Sequence, residues 1–364
     1  MSITKILESL PDPRSINPNS RYSVALIVFQ TIAAVVSGCE HWTEIEDFGK
    51  DKKDWIAKYV PVSDTMPSHD TLSDFFMRLN SEAFMGLFIE WTRIICSLTA
   101  GEVIAFDGKT MRSSYNTSDG KAAVHLVSAW ASSNKIVLGQ YAVDDKSNEI
   151  TAIPALLRLL DIKGAIVTID AMGCQQKIAA QIIEQEADYI LAVKGNQKEL
   201  LEGVTDSFKL QPATSQCKEV NKDHGRIEQR TCSVIVNPTE ILHKEKWTSL
   251  ASIIRIESTR EIIVERKISH EIRYYICSKP LSAETAMAKV RDHWGIENNL
   301  HWNLDVCFNE DQSRMRTGNE DKNFAVIRKI AVNLISLDKT KLSVNRKRLK
   351  ASRSDSFRET LMKI

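Results

Sequence analysis

Two aspartates close short apolar runs: Asp107 ends Val103-Ile104-Ala105-Phe106-Asp107, and Asp170 ends Ala165-Ile166-Val167-Thr168-Ile169-Asp170. Such a run reads as a strand buried inside a sheet, and an acid at its end emerges at the sheet's carboxyl edge. That edge is where open α/β sheets bind ligands. Either acid alone reads more simply as capping a turn that Gly108 or Gly173 completes. The pair is more telling, because both can face one point. Carboxylates brought together repel and raise a pKa unless a cation lies between them. No His/Cys cluster accompanies them, so the expected cofactor is a hard ion with oxygen ligands, Mg²⁺ or Mn²⁺, with a third acid supplied from elsewhere.

The richest remaining segment is 290–305. His293, Glu297, His301 and Asp305 recur every four residues and form one slowly drifting stripe on a helix, with Trp294 and Trp302 beside it. A solvent-facing helix carries Lys and Glu there more often than His and Trp, so the stripe points to an interior site. The alternative is a core helix whose polar residues are satisfied. HExxH, the Walker A pattern, GxGxxG and GxSxG are all absent. Cys174 is the one candidate thiol nucleophile, and it reads better as a small buried residue.

The chain that must position these groups has 364 residues, of which 43% are hydrophobic and 26% charged, enough for two or three packed units. Seven scattered cysteines without a CxxC argue for reduced thiols, a cytoplasmic protein and no zinc ribbon. The longest apolar stretch, residues 24–36, spans about 20 Å as a helix, short of the roughly 30 Å of a bilayer core. Acids precede it and no cleavage site follows, so it reads as a buried helix, neither a signal peptide nor a membrane span. The net charge of +1 hides an asymmetry. Residues 1–100 carry 9 Lys+Arg and 13 Asp+Glu; residues 339–364 carry 9 and 2. A basic tail on a neutral body fits a nucleic-acid contact or a solvated tail.

Periodicity divides the chain into three parts. Residues 1–100 are a helical domain, with helices over 21–38, 41–58 and 81–98 and a further one that Ser68 or Asp70 caps. Residues 101–338 form a mixed α/β sheet. Strands are expected before Asp107, over 122–131, 135–143 and 165–170, and over 189–193; helices over 149–160 and 174–185 separate them. Within this part, 200–280 reads as a β-rich insertion with strands over 231–236, 252–257, 261–265 and 271–278. Helices over 283–306 and 324–337 follow, and a basic tail fills 339–364.

At this point the sequence resembles bacterial insertion-sequence transposases of the DDE type, in the group of H-repeat-associated proteins. The matching stretches include SGCEHWTEIEDFG (37–49), PSHDTLSDFF (67–76), AFDGKTMRSS (105–114) and DDKSNEITAIPALL (144–157). TIDAMGCQQKIA (168–179), DYILAVKGNQ (188–197), HGRIEQR (224–230) and HWGIENNLHWNLDVCFNEDQSR (293–314) continue them in consistent order. The resemblance implies an RNase H-like catalytic core interrupted by a β-rich insertion. It implies Asp107, Asp170 and Glu297 as catalytic, metal-binding acids, 63 and 127 residues apart. Relatives carry a Y-R-E-K signature around the last acid; here Val290, His293 and Leu304 stand at the Tyr, Arg and Lys places, leaving His293 as the candidate phosphate contact. Asp305, Glu310 and Asp311 are the other candidates for the third acid.

The activity so implied is DNA cleavage at element ends followed by strand transfer into target DNA, by two-metal phosphoryl transfer. The partners would be transposon-end and target DNA, with a homodimer pairing two ends. Lys109, Arg112, Lys194, Asn196, His293, His301 and Arg314 are the candidate DNA contacts. Two other readings share the sequence: an inactive descendant that only binds DNA, and a standalone nuclease that cuts without joining.

Overall fold

The computed structural model describes residues 7, 9–14, 21–115, 120–143, 149–223, 225–264 and 267–363; residues 144–148, His224 and the last residue of the strand expected over 261–265 lie outside them. The N-terminal part is helical. Helix α1, Val24–Val36, is capped by Ser23, whose Oγ accepts the Leu26 N–H at 3.1 Å. Its interrupting polar residues bond within the core: Gln30 Nε2 donates to Ile45 O at 2.9 Å, and Thr31 Oγ1 donates to Ile27 O at 2.8 Å. The long apolar run is therefore a core helix. The helix expected over 41–58 breaks at Lys52 into α2 (Trp42–Asp51) and α3 (Lys53–Ile56). Ser68 caps α4 (His69–Arg78), and α5 (Ser81–Ile95) closes the group.

The next part is one sheet. Strands β1 (Val103–Thr110), β2 (His125–Ala131) and β3 (Ile136–Val143) are antiparallel. Helix α6 (Glu149–Leu159) leads to β4 (Ile166–Ile169), parallel to β1, and α7 (Gln176–Glu184) leads to β5 (Asp188–Val193), parallel to β4. Helix α8 (Lys198–Leu210) precedes β6 (Ser215–Asp223), β7 (Arg226–Val236), β8 (Ser252–Ile262) and β9 (Lys267–Cys277). The spatial order is β3-β2-β1-β4-β5-β9-β8-β7-β6. Its first five strands have the order and directions of an RNase H-like core, so the mixed α/β expectation holds.

The inserted strands differ from their sequence pattern in two ways. They continue the core sheet through the β5–β9 pair, and β8 is a single 11-residue strand where the sequence suggested two. The outer half of the insertion explains this: β9 is exposed over its first six residues and buried only over its last three. A strand wet on both faces loses the apolar alternation by which it would be recognised; β6 keeps one half-buried face but builds it with Ser215, Cys217 and Glu219, which carry no apolar signal.

Helix α9 (Ala283–Gly295), a π-helical segment Ile296–His301 and α10 (Trp302–Phe308) cross the sheet, followed by α11 (Glu320–Leu337). The basic stretch 339–364 folds into α12 (Val344–Arg353) and α13 (Asp355–Met362). Several of its cations are structural. Lys347 Nζ donates to Ile335 O and Asp338 O, and buried Arg358 lies 4.0 Å from the Trp55 ring centre. Among the described residues, no helix is long and apolar enough to cross a membrane.

Candidate active site

Register places the first two acids side by side. Phe106 on β1 pairs with Ile169 on parallel β4, so the next residue on each, Asp107 and Asp170, sits at the same level. The β1 strand runs on to Thr110, so Gly108 completes no turn there. A Cβ on Gly108 would lie 2.4 Å from His125 Nε2 and 2.5 Å from Glu149 Oε1. Those two groups, themselves 2.7 Å apart, fill the space behind the strand. Asp170 opens the 3₁₀ turn Ala171–Gly173, which Asn196 braces by donating to Ala171 O at 2.7 Å.

The candidate third acid, Glu297, sits on the crossing helix. In an α-helix a four-residue step advances about 400°, a drift of about 40° per step. The wider π turn over Ile296–His301 needs more than four residues to come round, which offsets that drift and keeps Glu297 and His301 toward the sheet. Glu297 lines one cavity of about 350 Å³ together with Asp170, Lys194 and His293. His301 Nδ1 lies 3.3 Å from Asp107 Oδ2.

The electrostatics follow this crowding. Burial first, then Glu297, Glu149 and Asp170, push Asp107 up to about 7 against the opposing Gly108 amide. Burial, with the Asp170 charge, raises Glu297 against the opposing Arg273 and Lys194. Burial also disfavours the charge on Asp170, but the Ala171 amide and the Lys194 ammonium, 3.2 Å away, outweigh it and hold its carboxyl below the ordinary value. Burial drives His293 down to about 4 and His301 down to about 3, so both are neutral at pH 7. His293 Nδ1 lies 2.9 Å from Thr168 Oγ1, tying α9 to β4.

Among the described residues, no three His, Cys, Asp or Glu side chains gather closely enough to form a finished metal cage; Asp170 leans on Lys194 and Asp107 on His301. The donor chemistry nevertheless fits a hard divalent cation. The donors are carboxylates, and the upward shifts of Asp107 and Glu297 are those a cation among them would reverse.

The remaining candidates separate. Lys109, 12% exposed, is clasped by Asp305 at 2.7 Å, Asp311 at 2.9 Å and Glu310 at 3.1 Å. Arg112 stands 83% exposed with its Nε 3.3 Å from Asp311 Oδ2, and Arg314 is exposed beyond it. Cys174 is fully buried and its thiol is pushed up to about 12 by that burial, the state of an inert core residue.

Two features went unread in the sequence. Glu149 lines a small pocket with Asp107 and Asp170; it was counted only as the first residue of a helix. The inserted sheet turns Arg226, Arg230, Arg260 and Arg273 into a cleft of about 630 Å³ that Arg291 and Glu297 also line. Their alternate spacing, Arg226, Glu228 and Arg230 on β7, was the available signal.

Comparison with known proteins bears on these findings. The family model described as "Transposase DDE domain" matches residues 99–334, and the model described as "DDE_Tnp_1-associated" matches residues 4–92. The "H repeat-associated putative transposase YhhI" of Escherichia coli K12 is 40% identical, covering 98% of this chain and 97% of its own length. The protein YbfL of the same strain matches with the same identity and coverage. A solved piggyBac transposase synaptic complex with hairpin DNA aligns at 11% identity and a TM-score of 0.45, over 99% of this chain and 76% of that one.

Proposed function

The chain belongs to the DDE transposase family, and from that premise we propose that it cleaves DNA at the ends of an insertion sequence and joins them to target DNA. The observation that carries the proposal is the convergence of Asp107, Asp170 and Glu297 from two neighbouring strand ends and the helix crossing them. Mg²⁺ or Mn²⁺ would be held by these three carboxylates; bound there, it would supply Lewis-acid stabilisation and a hydroxide-like nucleophile.

Phosphoryl transfer asks the protein chiefly for positioning and charge. Asp107 would be the central donor, with neutral His301 Nδ1 3.3 Å from its Oδ2 on the π turn. Lys194, beside Asp170 at the cavity rim, is placed to meet a phosphate oxygen of the strand being cut. His293 holds the acid-bearing helix to β4, and Asn196 holds the turn that aims Asp170. The arginines of the insertion cleft, next to Glu297, support a DNA path across that face. Pairing two element ends calls for two copies of the chain.

The test is cleavage and joining of labelled DNA carrying the flanking repeats, in Mg²⁺ or Mn²⁺, by wild type, Asp107→Ala and Glu297→Gln. Metal-dependent joining by wild type, lost in both variants, is expected. Activity persisting in Glu297→Gln would remove it from the site and direct attention to Glu149. Binding without cleavage in either metal would sink the catalytic reading and favour an inactive descendant.

A further inference from the structure

A further polar cavity, of about 600 Å³, opens between the N-terminal helices and the catalytic core. Glu40, His41, Ser113, Ser313, Arg314 and Arg328 line it. Arg328 projects from the middle of α11 and is 2% exposed, yet its Nη1 has no hydrogen-bond partner among the described residues. A buried guanidinium left in this state is costly, and native structures seldom leave one without a counter-charge or ligand. Its guanidinium carbon lies 4.5 Å from the Phe324 ring centre, which supplies stacking but no acceptor.

Glu310 and Glu40 are the counter-charges nearest Arg328, but Glu40 is fully engaged and Glu310 partly so. Glu40 Oε1 lies 3.0 Å from Arg348 Nη1, and Glu40 Oε2 accepts from Asn309 Nδ2 at 2.6 Å. Glu310 Oε2 is held by Lys109 at 3.1 Å, while its Oε1 is buried without a partner. Across this junction Arg314, Arg328, Lys329 and Arg348 stand against Glu40 and Glu310, four cations to two acids. Including Lys109 and Arg112 with Asp305, Asp311 and Glu44 still leaves one positive charge over, six to five. Guanidinium forks beside hydroxyl donors make the chemistry of an oxyanion site.

We propose that this cavity is a phosphate-binding site in which Arg328 and Arg314, with the hydroxyls of Ser113 and Ser313, take a phosphate group. The backbone of a DNA strand is one source and free phosphate the other; the first rests on the transposase reading above, whereas the phosphate chemistry does not. Ser113 follows Asp107 by six residues, within about 20 Å at full strand extension, so a strand held at the acids would meet the cavity a few nucleotides away.

The test uses the full chain. Thermal midpoints are compared in inorganic phosphate and in chloride at equal ionic strength, for wild type, Arg314→Gln, Ser113→Ala and Arg328→Met. The two rim variants keep the test valid if Arg328→Met fails to fold. Binding of a labelled duplex is measured as a function of salt in parallel, with Lys163→Gln as a control for loss of one surface charge. Phosphate is expected to raise the wild-type midpoint, with the rise lost in Arg314→Gln. DNA affinity should fall about 10-fold in that variant, with a salt slope shallower by about one. A lost phosphate response with unchanged DNA affinity would support the site and identify free phosphate as its ligand. A wild type that responds to phosphate but binds no DNA would leave the cavity assigned and defeat the DNA reading. Equal midpoints in phosphate and chloride, with Arg314→Gln binding DNA as wild type does, would overturn the proposal.

Discussion

Replacing Asp107 by Asn should stabilise the protein at neutral and alkaline pH, although Asp107 is proposed as the central catalytic acid. Burial among Glu297, Glu149 and Asp170 raises its carboxyl from 3.8 to about 7. Between those values the folded chain binds a proton that the unfolded chain does not, so stability falls as pH rises through this window and the loss is complete above it. A difference of about 3 pKa units at 1.36 kcal/mol each amounts to ~4 kcal/mol, and the side chain is only 24% exposed, so little is lost to solvent screening. Asn carries no charge and escapes that cost. For a chain of this length, ~4 kcal/mol corresponds to ~5 °C in melting midpoint. The assay is thermal melting of wild type and Asp107→Asn at pH 5, 6, 7 and 8 in chelator. The variant's advantage should be ~2 °C at pH 5, already about 1.2 units into the window, and grow to ~5 °C by pH 8. Saturating Mg²⁺ should then narrow it, because a cation at 100 times its Kd stabilises the wild type by ~2.7 kcal/mol. An advantage that stays the same from pH 5 to pH 8 would refute the crowded-carboxylate account.

Divalent binding to the wild type, followed calorimetrically, should weaken as pH falls from 8 to 6, since below about 7 the ion must displace a proton from Asp107. Lys109→Met removes the cation shared by Asp305, Glu310 and Asp311, and should cost ~3–5 kcal/mol, read as a midpoint lower by several degrees. A change within experimental error would mean that these acids neutralise one another through water or protons. Gly108→Ala pushes a methyl into His125 and Glu149; the expected cost is ~1–3 kcal/mol by denaturant titration, together with lower cleavage activity. A neutral outcome would show that the packing behind β1 is slack.

The first two acids were legible because a buried strand announces itself as an unbroken apolar run, and Val103–Phe106 and Ile166–Ile169 are such runs. Parallel pairing of two such strands then forces their terminal acids together, which needs no further information. The helical N-terminal part was legible from periodicity, down to the Ser68 cap. Side-chain direction was not legible. The four-residue stripe from His293 to Asp305 looked uniform, yet the π turn sends Glu297 and His301 to the acids while Asp305 goes to Lys109. The basic tail misled for a related reason, since net charge does not say which cations are buried. Arg348, 5% exposed, spends its donors on Val35 O, Glu40 and Cys307 O.

Electrostatics also bears on which acid completes the set. Four acids follow position 290 within reach of the site, and three of them, Asp305, Glu310 and Asp311, share the ammonium of Lys109. An acid so paired gains little from a second cation and would leave Lys109 buried and unpaired if it moved to one. Glu310 illustrates this most strongly: burial opposes its charge, but Lys329, Lys109 and Arg328 outweigh that and hold it down at about 2. Glu297 has no ion pair among the described residues and lines the cavity with Asp170; burial and that neighbour raise its carboxyl against the opposing charges of Arg273 and Lys194. An acid with no ion pair has more to gain from an arriving divalent cation than one that already holds an ammonium, which favours Glu297 over Asp305, Glu310 and Asp311 independently of any motif.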